Sequence, residues 1–123
     1  MGNYERENRF GFVERRLAIY DAVRDIVGEI TRTGAAPDPL YKRYCLAMDR
    51  APYFFGKDVH DYLETIRMLI LDLDLSNTMM GTNDANHARW AQKRSQQFLA
   101  ITDFYKAAPP IFEPYIRAHQ KAA

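Results

Sequence analysis

Apolar residues return every three or four positions from about Arg9 to Thr33, and the same rhythm recurs in three later stretches of the chain. In the first stretch Val13, Leu17, Tyr20 and Val27 form one stripe, with Ile19, Val23, Ile26 and Ile30 beside it. Two adjacent stripes make a wide apolar face, suited to a helix that touches several neighbours. Gly34 at the C-cap and Pro37 just beyond predict its end. Asp38 as N-cap and Pro39 at the first helical position predict a second helix carrying Leu40, Tyr41, Tyr44, Cys45 and Met48. Pro52 stops it. A third helix starts near Asp58 with Val59, Tyr62, Leu63, Ile66, Leu69, Ile70 and Leu73, and is expected to fray at Ser76-Asn77. A fourth, capped by Asn83 or Asp84, runs to about Lys106 through Trp90, Ala91, Phe98, Ile101, Phe104 and Tyr105. Its first half is weakly apolar and is expected to project beyond the others. Pro109-Pro110 is expected to break the helix, leaving one or two turns from Ile111 to Gln120.

The pattern predicts an all-α fold: an antiparallel four-helix bundle-like arrangement with a short C-terminal helical segment, in one domain over 1–123. Residues 1–8 are expected to be a flexible N-terminus and 117–123 a frayed tail. Between helices two and three lies Ala51-Pro52-Tyr53-Phe54-Phe55-Gly56. Burying an aromatic side chain is worth roughly 1.5–3 kcal/mol, so three in a row at a corner are expected to plug an end of the core. Phe54 or Phe55 is expected to be buried, though not both together with Tyr53.

Composition narrows the picture. A chain of 123 residues, 47% apolar and 13% aromatic, can bury a core without covalent staples. Seventeen basic against sixteen acidic residues give a net charge of +1, so there is no electrostatic case for nucleic acid. The single Cys45 excludes an internal disulfide and fits a reducing compartment. No apolar run approaches the roughly 18 residues of a membrane span. Charges at Glu5, Arg6, Glu7 and Arg9 replace the apolar stretch of a secretory signal, and Arg6 occupies the Ser/Thr position of a myristoylation signal. The expected compartment is the cytoplasm. Charge is uneven along the chain: Lys57 to Asn77 sums to −3 and Asn83 to Ala123 to +3. Helices three and four are therefore expected to face each other with opposite charge. Arg15, Arg16, Arg24 and Arg32 alternate with Glu14, Asp21, Asp25 and Glu29, which reads as a self-paired, solvent-facing surface of helix one.

Candidate chemistry is thin. Asp72-x-Asp74-x-Ser76 has the start of an EF-hand loop, but Asn83 stands where the closing Glu belongs. Asp84-x-x-His87 matches half of a di-iron bundle motif, and these two are the metal candidates. Asp58, Asp61 and Glu64 lie at carboxylate spacing but away from the apolar face. His60 and His119 have no partner at ligand spacing, and Cys45 lies on an apolar stripe. No phosphate loop, zinc spacing or nucleophile elbow is present. The expectation is a chain with no catalytic residues and no cofactor. Its function is read as that of a non-enzymatic protein-interaction module, with self-association through helix one or the start of helix four as one form. The competing reading is a small-molecule- or metal-binding bundle.

Three landmarks occur in order: Arg15-Arg16-Leu17-x-x-Tyr20, Tyr53-Phe54-Phe55-Gly56 followed by Tyr62-Leu63, and Phe112-x-Pro114-Tyr115-Ile116. Together they resemble an uncharacterised family of small bacterial helical proteins, whose members read R-L-x-x-Y-x-A, then F-L-F-x-x-x-I-x-x-Y-L, then F-x-P-Y-L. The resemblance covers about Arg15 to Ile116. It implies Tyr53, Phe54, Phe55, Tyr62, Phe112 and Tyr115 as packing landmarks and brings no catalytic residue. Many members carry the domain on the cytoplasmic side of an N-terminal membrane helix, which implies a membrane-proximal partner. No such helix is expected here.

Overall fold

A computed structural model describes the backbone of residues 2–82 and 85–121, with side chains over 11–82 and 85–117. Five α-helices follow one another: α1 Gly2–Thr33, α2 Asp38–Arg50, α3 Lys57–Met80, α4 His87–Thr102 and α5 Phe104–Lys121. There is no strand among the described residues. α1, α2, α3 and α4 form a four-helix bundle-like ring in which α1 packs on α2, α2 on α3, α3 on α4 and α4 back on α1. α5 lies mainly against α1. α1 and α3 thus occupy diagonal positions.

The core is built from the anticipated stripes. Ile19, Val23, Ile26, Val27 and Ile30 of α1 meet Leu40, Tyr44 and Met48 of α2 and Val59, Leu63, Ile66, Ile70 and Leu73 of α3. Ile101, Phe104, Ala108 and Phe112 close it. Leu17 lies at the exposed margin, and Tyr41 and Cys45 are only half-buried. Tyr44 is fully enclosed and its hydroxyl donates to the Leu63 carbonyl at 2.6 Å. That bond removes the cost of burying a phenol oxygen.

Several boundaries differ from expectation. α1 reaches back to Gly2 rather than starting at Arg9. The N-cap of α2 is Pro37, in extended backbone, which moves Asp38 inside the helix to pair with Lys42 at 3.0 Å. α3 does not fray at Ser76-Asn77, because the helix gives these polar side chains partners in its neighbours. The buried Ser76 hydroxyl donates to Gln97 of α4 at 2.7 Å, and Asn77 donates to the Gly34 carbonyl at 3.0 Å. The first half of α4 does not project, since Arg94 and Gln97 fasten it to α3. The caps proposed at Asn83 and Asp84 lie outside the described residues. Helix four ends at Thr102 rather than Lys106, and the chain turns at Asp103 into α5.

Pro109-Pro110 does not end the helix. α5 runs through Pro109, Pro110 and Pro114. Each proline forfeits one backbone bond and crowds the preceding turn. Here the carbonyls that lose a donor belong to Tyr105, Lys106 and Pro110, all on the exposed side where water can serve them. The other side presents Phe104, Ala108 and Phe112, fully buried at i, i+4 and i+8. Packing of that face outweighs the lost bonds.

The seam between α3 and α4 also differs. Among the described residues the ion pairs are Lys42–Asp38, Arg43–Glu29, Arg67–Glu64 and Arg117–Glu113, none of which joins α3 to α4. Amides, a hydroxyl and Arg94 hold that seam instead. Nor is α1 self-paired among the described residues: Glu29 reaches across to Arg43 of α2.

Candidate functional site

The aromatic corner is a turn of 3₁₀ helix over Ala51–Tyr53 that leaves α2 without a break and hands the chain to α3 through Gly56. It divides its three aromatics by environment. Phe55 is 7% exposed, Phe54 is half-buried and Tyr53 is 79% exposed. Phe55 meets Phe112 edge-on at 5.2 Å and Tyr115 at 5.4 Å, so α5 covers the corner as a lid. Tyr62 stacks over Phe104 at 6.2 Å, and burial, then Asp103 and Tyr20, push its phenol pKa up to about 12.

Arg16 of α1 ties this region together. Its Nε donates to the Phe54 carbonyl at 2.7 Å and its Nη1 to the Tyr115 carbonyl at 2.5 Å. The guanidinium also lies 4.5 Å from the Phe12 ring centroid. Burial lowers the Arg16 pKa, yet a guanidinium stays charged across the accessible range. The Tyr115 hydroxyl then donates to Asp58 at the start of α3 at 2.5 Å, and that bond, with burial, raises the tyrosine pKa. α1, the corner, α3 and α5 are thereby joined through one arginine and one tyrosine. The alternating charges of α1 read as a solvated surface for Arg16; only the third dimension brings the Phe54 and Tyr115 carbonyls within its reach.

Beside the corner, α1 and α2 leave a groove of about 320 Å³. Ala18, Ile19 and Ala22 of α1 and Ala47 of α2 line it, Phe54 closes one end, and Arg15 and Arg50 stand at its edges. Small residues let the helices approach while leaving a trough outside their contact line. Tyr53 and Leu46 are exposed on the α2 side of this region. Neither Arg15 nor Arg50 makes an ion pair among the described residues. A second cleft, about 300 Å³, runs between α3 and α4 and is lined by Asp72, Leu75, Ser76, Trp90, Lys93, Gln96 and Gln97. The Lys93 ammonium lies 4.8 Å over the Trp90 ring.

The metal candidates are not brought together with other ligands. His87 is exposed at the start of α4, and Asp84 lies outside the described residues. No group of three or more His, Cys, Asp or Glu side chains among the described residues could hold a metal ion. Asp72, Asp74 and Ser76 sit inside continuous α3, where a calcium loop cannot form. Asp61 faces solvent, Glu64 is taken by Arg67, and Asp58 by Tyr115. His60 is exposed, and the side chain of His119 lies outside the described residues. No helix among the described residues is long and apolar enough to cross a membrane.

No protein-family model matches this sequence, and no match was found among curated proteins or solved structures.

Proposed function

We propose that this chain is a non-enzymatic helical interaction module that associates with copies of itself. The observation that carries the reading is the groove between α1 and α2: a floor of alanine and isoleucine, an aromatic wall and two arginines without ion-pair partners among the described residues. Aromatic residues and arginine are the side chains most enriched at protein interfaces, and Phe54, Arg15 and Arg50 gather them at one place. The lone Cys45 supports a cytoplasmic setting for this activity. Kinship with the small bacterial helical family belongs to the same proposal, because its landmark residues form the corner and its lid.

Light scattering from low-micromolar to near-millimolar concentration tests the reading. The expected mass rises with concentration above the 14.3 kDa of one chain. A constant mass of one chain over the whole range would rule self-association out.

The cleft at Trp90 favours a second reading, a site for a small polar molecule. An aromatic wall with a carboxylate, an ammonium and two amides around it is a common way to hold such a solute. Elemental analysis of chelator-free protein tests the metal form of this reading; a stoichiometric transition metal would displace the interaction module as the preferred function.

A further inference from the structure

α3 is apolar on two sides. Its inner side carries Val59, Leu63, Ile66, Ile70 and Leu73. On the opposite side, at i, i+3 and i+7, Met68, Leu71 and Leu75 are 46%, 37% and 51% exposed. Helical spacing puts Asp61, Glu64 and Asp72 on this same outer stripe, and its one basic residue is Lys57, at the first position of α3. Arg67 stands at its flank, committed to Glu64 and to the Tyr41 hydroxyl at 2.9 Å. A solvent-facing helix stripe normally carries no such row of leucine and methionine.

The groove between α1 and α2 has the complementary character. Its floor is alanine and isoleucine, and its charged edges are Arg15 and Arg50. Glu14 and Asp49, their chain neighbours, make no ion pair with them. An amphipathic helix whose anchors repeat at i, i+3 and i+7 is the shape that seats in such a trough. The stripe on α3 is such a helix, and its acidic residues are opposite in sign to the groove's arginines.

The two surfaces cannot meet within one molecule, because α3 lies diagonally across the bundle from α1 and its stripe points outward. We infer that the outer stripe of α3 from one copy docks in the α1/α2 groove of the next, pairing Asp61 or Asp72 with Arg15 or Arg50. This rests on the self-association reading and specifies its geometry. Two different patches on one chain make a head-to-tail contact, which closes into a ring or continues as a filament according to the rotation it imposes.

The test uses two variants, each lacking one surface. Ala18→Trp fills the groove, and Leu71→Ser with Leu75→Ser strips the stripe. All three residues are exposed, and far-ultraviolet circular dichroism confirms that each variant folds. Arg15→Glu with Arg50→Glu is a second groove variant that leaves the floor intact. Each variant alone is expected to lose at least about tenfold in self-affinity, the size of one lost interfacial anchor. Mixing Ala18→Trp with the double-serine chain leaves one intact stripe facing one intact groove. The mixture is expected to form a one-to-one pair and nothing larger. If the native chain associates but the variants behave like it, or the mixture stays monomeric, the head-to-tail contact is wrong while self-association stands. If the native chain is monomeric throughout, the underlying reading fails first. A monomeric chain that binds phosphatidylserine vesicles, with binding lost in the double-glutamate variant, would assign the groove to a lipid surface and overturn the proposal.

Discussion

Tyr44 shows how one enclosed residue couples stability to pH. Its phenol ordinarily titrates at 10.0, and burial, with smaller effects of Tyr62, Cys45 and Glu64, raises its pKa well above that in the folded chain. As pH climbs past 10 the unfolded chain loses this proton while the folded chain keeps it, so alkaline conditions favour unfolding. The stabilisation is therefore complete below about pH 10 and is lost at about 1.4 kcal/mol per pH unit above it. Tyr62 acts in the same direction, but solvent screening at its half-buried ring makes its share smaller. Urea melts between pH 8 and 11 are expected to show this decline, and Tyr44→Phe should flatten it. At neutral pH the same variant should cost about 0.5–1.5 kcal/mol, the net worth of its bond to Leu63. An unchanged alkaline slope in the phenylalanine variant would mean that another group controls it. Tyr44 was legible in the sequence as an apolar-stripe residue, because periodicity reports which face a side chain occupies. The acceptor for its hydroxyl was not, since Leu63 becomes its neighbour only when α2 packs on α3.

At the scale of elements, glycine positions separate what a local signal can and cannot say. Gly34 has φ +72°, and its N–H returns to the Ile30 carbonyl at 2.7 Å, as a helix C-cap requires. The Gly34 carbonyl in turn accepts from Asn77 of α3 at 3.0 Å and from Arg94 of α4 at 3.1 Å. Gly34→Ala adds a methyl 2.5 Å from the Arg94 guanidinium and places a Cβ in the left-handed region. The conformational part alone costs about 1–2 kcal/mol, and the displaced arginine adds to it. Gly28, inside α1, is the opposite case. A Cβ there would meet the Tyr105 hydroxyl at 3.5 Å, an ordinary contact, so Gly28→Ala should stabilise by about 0.5–1 kcal/mol. Chemical denaturation of the two variants side by side checks both signs; a neutral Gly34→Ala would show that the turn does not set the three-way contact. The C-cap itself was legible from Gly34 and Pro37, because capping is a short-range rule. The persistence of α3 through Ser76-Asn77 and of α5 through Pro109-Pro110 was not. Those segments violate local preference and are held by partners distant in the sequence: Gln97, Gly34 and the buried side of Phe104, Ala108 and Phe112.

For the whole molecule, the only tryptophan stands beside the stripe proposed to dock, which turns association into an optical signal. Trp90 shares its cleft with Asp72 and Leu75, two residues of the outer side of α3, and its ring is half-buried under the Lys93 ammonium. Seating that stripe in a neighbour's groove removes water from Leu75 and from the mouth of the cleft. Indole emission moves to shorter wavelength as its surroundings dry, so the emission maximum should shift to the blue as concentration rises. The shift should follow the mass measured by light scattering. Raising the salt from about 0.05 M to about 1 M should oppose it, because the Debye length falls from over 10 Å to about 3 Å and the arginine–carboxylate contacts are screened. The Arg15→Glu/Arg50→Glu chain is the matched control, since it keeps Trp90 as its sole indole and alters only the distant groove. In that variant the shift should be absent or displaced to at least about tenfold higher concentration. A native mass that grows while the Trp90 emission does not move would place the contact away from the Leu75 side of α3. The groove would then have to receive some other part of the neighbouring copy.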